Sequence, residues 1–408
     1  MKFLSFGVLI SITAGCASQN ETGANMTNAD SPATSQAGRL SIQGKQIFGP
    51  NGAEIKLRGW NWGQWNTVLA GDLASQGYPN ADPNDPSDGG DAAQQGANVV
   101  RILLRWWGEY GDGKDRFGLP VDSRDESVAG HVRLDSLTLL DDEITEATSH
   151  GLWVDLAVDS NCGQESPTDL DPYCTDTVNT NNGAPIVHAN FVNDPVMRGE
   201  FKAIWAHLVD KYKNHDHIAM YEIMPEPQFG CNVGPACDYD AVNAFYTELI
   251  GTIRGKDTNT PILIGPGGGY SMKNIGKALD PGLTNPNKLI YTGNMLSEGA
   301  LSLDGLPFLT GFRDSKTVPV FVQQVGIDQS KVLDMHGNLD SATYLMKVKN
   351  VLGTLDMDDI GWTWWTYREQ NSSGQGYAPW YLAKGNDTWK AAVAPNMLGT
   401  ISAFFTNF

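Results

Sequence analysis

Eight short apolar runs recur along the chain, at 55–59, 98–103, 153–158, 219–224, 262–265, 289–292, 320–325 and 361–366. Several are continuous rather than alternating, the pattern of strands buried on both faces of a parallel sheet. Between them lie stretches with one apolar face at helical spacing. Leu134, Leu137, Ile144 and Ala147 share one face; Phe201, Ile204, Trp205, Leu208 and Tyr212 share another. Val242, Phe245, Leu249 and Ile253 make a third, and Tyr344, Val348, Val351 and Leu355 a fourth. Pro395 suits the first turn of a last helix running through Ile401 and Phe404. This alternation predicts an α/β chain folded as one (β/α)8 TIM barrel over residues 39–408. A doubly wound open sheet is the alternative, but no Gly-x-Gly-x-x-Gly turn follows the first strand. Residues 40–55 read as a small β-hairpin turning at Gly44-Lys45 and Gly49-Pro50-Asn51-Gly52, placed to cap the closed end of the barrel.

The N-terminus reads as an export signal. Met1-Lys2 is a short positive region, and residues 3–12 are an apolar run too short to span a bilayer. Thr13-Ala14-Gly15-Cys16 resembles a bacterial lipoprotein cleavage box, with Thr13 where Leu is usual. Residues 1–15 are then a signal peptide and Cys16 the lipidated first residue, giving an exported lipoprotein on the outer membrane or cell surface. An ordinary secretory peptide is the alternative. Residues 16–38 are rich in Ser, Thr, Asn and Ala and read as a flexible tether. Four cysteines remain, and the favoured pairings are Cys162 with Cys174 and Cys231 with Cys237, each in a polar loop. A zinc site is the rival, without the close Cys-x-x-Cys pairs that would support it.

With 47 acidic and 28 basic residues the net charge is −19, which argues against a nucleic-acid partner. It fits a neutral ligand better than an anionic one. Twelve tryptophans are present. Most belong in a core, but several sit at strand ends where a flat ring can serve a ligand.

In a barrel, catalytic groups lie at the C-terminal ends of strands. The fourth strand delivers Tyr221-Glu222-Ile223-Met224-Pro225-Glu226-Pro227, in which two prolines stiffen the backbone around Glu226. Here the chain resembles glycoside hydrolase family 5, the cellulase and mannanase barrels. Ile55-Lys56-Leu57-Arg58-Gly59-Trp60-Asn61 is similar to the family's opening strand, and Gly96-Ala97-Asn98-Val99-Val100-Arg101-Ile102 to its second, which carries an active-site Arg. The segment 221–227 is similar to its Asn-Glu-Pro segment, where the Glu is the general acid/base. Val318-Pro319-Val320-Phe321-Val322-Gln323-Gln324-Val325-Gly326 resembles its seventh strand, which ends on the nucleophile. Gly361-Trp362-Thr363-Trp364-Trp365 resembles its eighth, with a sugar-stacking Trp.

The departures matter as much. The nucleophile position is Gln324, which can neither form a glycosyl ester nor offer a negative charge. Pro225 stands where the family's Asn precedes the acid/base, Ala157 aligns with the His of the third strand, and Gly293-Asn294-Met295 replaces the His/Tyr pair after the sixth. The resemblance thus implies a site of Arg101, Glu226 and Gln324, with Trp62, Trp65, Trp106, Trp107, Trp362 and Trp364 as sugar platforms. One reading is a hydrolase of β-1,4-glucan or mannan, with Glu226 as general acid and Asp159, Glu298 or Asp328 as a second carboxylate activating water. A second is a non-catalytic, surface-tethered glycan-binding protein, and a third a structural envelope lipoprotein. A β-linked polysaccharide partner, a monomer, membrane contact only through the N-terminal lipid, and no cofactor or metal complete the expectation.

Overall fold

The computed structural model describes residues 38–61, 96–105, 124–125, 131–132, 134–159, 161–162, 176–179, 185–188, 195–227, 238–297, 303–327, 332–337, 339–365 and 397–405. Eight parallel strands close on themselves: β1 (Arg58–Asn61), β2 (Val99–Arg105), β3 (Trp153–Asp159), β4 (Ile218–Glu222), β5 (Ile262–Ile264), β6 (Leu289–Thr292), β7 (Val320–Ile327) and β8 (Gly361–Trp364). Closure runs through β8 beside β1 and β6 beside β7, so the fold is the (β/α)8 barrel the alternation predicts. Every predicted strand is present, with shifted ends. The first begins at Arg58 rather than Ile55, because Glu54 and Ile55 are already bonded to Phe48 and Ile47 of the hairpin.

Helices α1 (Leu134–Ser149), α2 (Pro195–Tyr212), α3 (Tyr239–Arg254), α4 (Leu306–Lys316), α5 (Ser341–Met357) and α6 (Met397–Ser402) surround the strands. Asp238 and Asp340 cap α3 and α5, their carboxylates accepting from the amides of Ala241 and Thr343. The short α4 escapes the periodicity reading because its buried face is only Leu306, Leu309 and Phe312, interrupted by Pro307 and Gly311. The last helix stops at Ser402, so Phe404 lies in the turn beyond it. Cys162, expected in a loop, pairs instead with Val187 in a small antiparallel sheet. Cys16, Cys174, Cys231 and Cys237 lie outside the described residues.

Two apolar layers flank the barrel wall. Trp60, Trp205, Trp362 and Trp364 pack with the helices on the outside. Inside, Leu57, Val99, Trp153, Leu263, Ile290 and Phe321 plug the N-terminal end, joined by Leu40 and Ile47 from the hairpin (Ser41–Gln43 with Gln46–Phe48). The hairpin therefore caps the closed end as expected. Above this plug the inward positions turn polar: Asn61 on β1, Arg101 on β2, Asp155 on β3, Glu222 on β4, Thr292 on β6, Gln323 on β7 and Thr363 on β8 are all buried. A floor of apolar side chains thus carries a layer of charge and amide, and the site stands on that layer.

The tight packing of β1 against β2 depends on Gly59, where an added Cβ would come within 1.7 Å of the Val99 carbonyl oxygen. Gly59→Ala is expected to lower unfolding free energy by about 3 kcal/mol or more, since two paired strands must separate to admit it. Denaturant unfolding measures this directly. A change below about 0.5 kcal/mol would show that the wall can give there.

Candidate active site

Arg101 organises the lumen. Its guanidinium Nε donates to Glu222 Oε2 at 2.5 Å and Nη1 donates to Asn61 Oδ1 at 2.9 Å. Asp155 Oδ2 lies 4.0 Å from the same Nε. Arg101, Asp155 and Glu222 are each buried to 2% exposure or less. Strand register brings them together, with Asn61 beside Arg101 and Arg101 beside Asp155 across neighbouring strands. Burial works against the Arg101 charge, but the acids around it, Glu222 first through charge and hydrogen bond and then Asp155 and Glu226 through charge, together raise its proton affinity. Burial also pushes Glu222 above the usual carboxylate range, opposed by Arg101. Asp155 is pushed up further, first by burial and then by the charge of Glu222.

The β4 extension that carries Glu226 is bolted down. Trp205 Nε1 donates to the Ile223 carbonyl at 2.8 Å. The hydroxyls of Tyr270 and Tyr246 donate to the Met224 carbonyl at 2.8 and 3.3 Å. The amide of Gly268 donates to the Pro227 carbonyl at 2.8 Å. Held this way, Glu226 takes φ +48°, a conformation that non-glycine residues adopt at a cost of roughly 1–3 kcal/mol. Its side chain is half-buried and meets amides. Asn294 Nδ2 donates to Glu226 Oε1, and Gln323 Nε2 donates to Asn294 Oδ1 at 2.5 Å. In the amide orientation that satisfies both neighbours, Gln324 donates to Glu226 Oε1 at 2.8 Å and accepts from Arg101 Nη1 at 3.3 Å. A register shift between Val322 and Val325 lets both Gln323 and Gln324 reach the lumen side.

Arg101, Glu226 and Gln324 are thus brought together, as the sequence predicts. The tryptophans of β8 are not. Trp362 and Trp364 are fully buried in the outer layer, and Trp362 stacks on Phe405 at 5.4 Å. Strand alternation explains this correction, because Thr363 between them faces the lumen and donates to the Gln323 carbonyl at 2.5 Å. Trp365, half-buried and two residues beyond Thr363, shares the lumen parity. Trp62, Trp65, Trp106 and Trp107 lie outside the described residues, as do Glu298 and Asp328. Asp159 ends β3 with its backbone paired to Arg105, and Ala157 sits opposite Glu222. Asp155 and Tyr270 are the residues sequence reasoning missed, whereas Asn61, Glu222 and Gln323 fall within the strand segments it quoted, with no role assigned to them there. A polar residue inside an otherwise apolar strand run is the signal that could have found Asp155. Among the described residues, no group of three or more His, Cys, Asp or Glu side chains is arranged to hold a metal ion.

The family model for cellulase, glycosyl hydrolase family 5, matches residues 51–294. That is more than half of the chain, and the chain belongs to glycosyl hydrolase family 5. The matched stretch ends at Asn294, ahead of the strand that carries Gln324. Among solved structures, an endogalactoceramidase is similar at 17% identity and TM-score 0.57, covering 81% of this chain and 74% of that one. An endo-β-1,4-glucanase from Xanthomonas axonopodis pv. citri is similar at 16% and 0.57, covering 86% and 98%. An endoglucanase from Pseudomonas stutzeri is similar at 15% and 0.55, covering 88% and 97%. At these identities the likeness is one of fold. No curated protein sequence matches the chain.

The pH dependence of stability follows from Asp155. Unfolded, its carboxyl ionises from about pH 3.9; folded, it holds its proton to higher pH. Its contribution is therefore fully present below about pH 3.9 and is lost as pH rises towards the folded value. Asp155→Asn is expected to raise the melting temperature at pH 7 and to change it little at pH 3.5. A uniform effect across pH would contradict this.

Proposed function

We propose that the chain is a surface-tethered member of family 5 that takes a β-linked plant-type polysaccharide, a β-1,4-glucan or mannan, into the cleft above Arg101. On this reading it binds the glycan without the family's retaining hydrolysis. The carrying observation is the Gln324 amide lying 2.8 Å from Glu226. Retaining chemistry uses two carboxyl groups roughly 5 Å apart, one attacking the sugar and one protonating the leaving oxygen. An amide in the first role supplies no nucleophile. Glu226 accepts from the amide N–H groups of Gln324 and Asn294, and on this reading it serves the glycan as a hydrogen-bond acceptor. A structure of the same fold solved with cellopentaose supports a β-glucan as ligand.

Hydrolysis is the second reading, favoured by the clamped, strained backbone of Glu226. Glu226 would then be the general acid, with Asp159, Glu298 or Asp328 activating water. Export and lipidation at Cys16 belong to the same proposal, because they would hold the cleft at the cell surface near its polymer.

Incubation of the full chain with cello- and manno-oligosaccharides separates the readings. Saturable binding without new reducing ends is expected, weakened about 10- to 100-fold by Glu226→Ala through loss of a charged hydrogen bond. Reducing ends are expected only in Gln324→Glu. Turnover by the natural chain that Glu226→Ala abolishes would overturn the binding reading. Cys16→Ser is expected to move the chain from the membrane fraction to the soluble one; an unchanged distribution would sink the anchor.

A further inference from the structure

We propose that Asp155 and Glu222 share a single proton beneath Arg101, and that Asp155 thereby acts as a positioning residue for the contact between Arg101, Gln324 and Glu226. The geometry has more acid than base. Two fully buried carboxyl groups, on β3 and β4, face one buried guanidinium on β2. Glu222 Oε2 takes the hydrogen bond from Nε, whereas Asp155 stands 4.0 Å from it. Both oxygens of Asp155 and Oε1 of Glu222 are buried with no hydrogen-bond partner among the described residues. The strand neighbours of Asp155 are Arg101 on one side and Met220 on the other, and the next inward residue on β3 is Ala157. Of these, only Arg101 carries a side-chain hydrogen-bond donor.

Three buried acceptors with no donor among the described residues are a costly arrangement if both acids are charged. A proton on Asp155 resolves it. One of the two acids is then neutral, and the cluster balances as one cation, Arg101, against one anion. Among the described residues, the other titratable groups around the pair are Tyr270, which burial holds protonated and whose hydroxyl bears on Glu222, Tyr246, likewise held protonated, and Glu226 above Arg101. A second charge on Asp155 would compete for the guanidinium and draw it away from Asn61 and Gln324. Arg101 would then no longer hold the Gln324 amide in the orientation that presents its N–H to Glu226.

The second readout below rests on the proposed glycan binding; the first does not. Infrared spectra of the full chain labelled with carboxyl-13C aspartate are expected to show a protonated, solvent-shielded aspartic acid at pH 7, lost on alkaline titration and missing from Asp155→Asn. Labelling aspartate alone keeps Glu222 out of the signal, and the wild-type spectrum decides even if the variant does not fold. Absence of any protonated aspartate at pH 7 would overturn the pair. In the second readout, affinity for cellopentaose is expected to fall at least tenfold through the same alkaline transition, and Asp155→Asn to remove that fall. An unchanged alkaline fall in Asp155→Asn would overturn the positioning role. No binding at any pH, with the aspartic acid signal intact, would overturn the proposed function and still support the shared proton.

Discussion

The buried ion pair between Arg101 and Glu222 is the interaction on which the open end of the barrel depends. A guanidinium in a closed lumen is tolerable only with close carboxylate and amide partners, because an unpaired charge there has lost its water. Arg101 meets that need with Glu222 and Asn61 at hydrogen-bonding distance. Asn61 sits on the neighbouring strand β1 and Glu222 on β4, one strand beyond β3, so satisfying one charge ties β1, β2 and β4 together across the lumen. Asn61 extends the tie by donating to the Gln323 carbonyl at 2.8 Å, which brings in β7. The polar layer is thus a continuous set of bonds rather than a collection of separate contacts, standing on the apolar plug beneath.

From that layer, the site rises through two segments of opposite character. The β4 extension is rigid: donors from Trp205, Tyr246 and Tyr270 fix its carbonyls, and its two prolines remove backbone freedom around Glu226. The β7 segment instead departs from regular pairing, and that irregularity turns two successive glutamines inward. A regular strand would have sent one of them to the helix layer.

Much of this was legible in the chain. Unbroken apolar runs marked the eight strands, and the order of motifs marked Arg101, Glu226 and Gln324 as one site. The orientation of Trp362 and Trp364 was not legible, because a motif carries no parity until Thr363 is known to face inward. Asp155 and Glu222 were hidden for a related reason. Each looks like an isolated acid in an apolar strand run until the register places both against one arginine. The role of Asn294 was equally invisible, since only the closure of the barrel brings it to Glu226 across 68 positions of sequence.

The amide at position 324 is consistent with the charges around it. Arg101 already answers to Glu222, with Asp155 and Glu226 within electrostatic reach. A carboxylate at 324 would add another acid beside one cation and stand within hydrogen-bonding range of Glu226. Such a pair suits a mechanism in which one of the two holds a proton ready for a leaving group. With Gln324 the demand on Arg101 falls, and Glu226 gains a donor in place of a like charge. The strain at Glu226 is nevertheless retained, although relaxing that residue to an ordinary φ would stabilise the fold by roughly 1–3 kcal/mol. A chain that had lost all use for its cleft would have no physical reason to keep a carboxylate clamped in that conformation. The cost is intelligible if Glu226 is still aimed at a ligand.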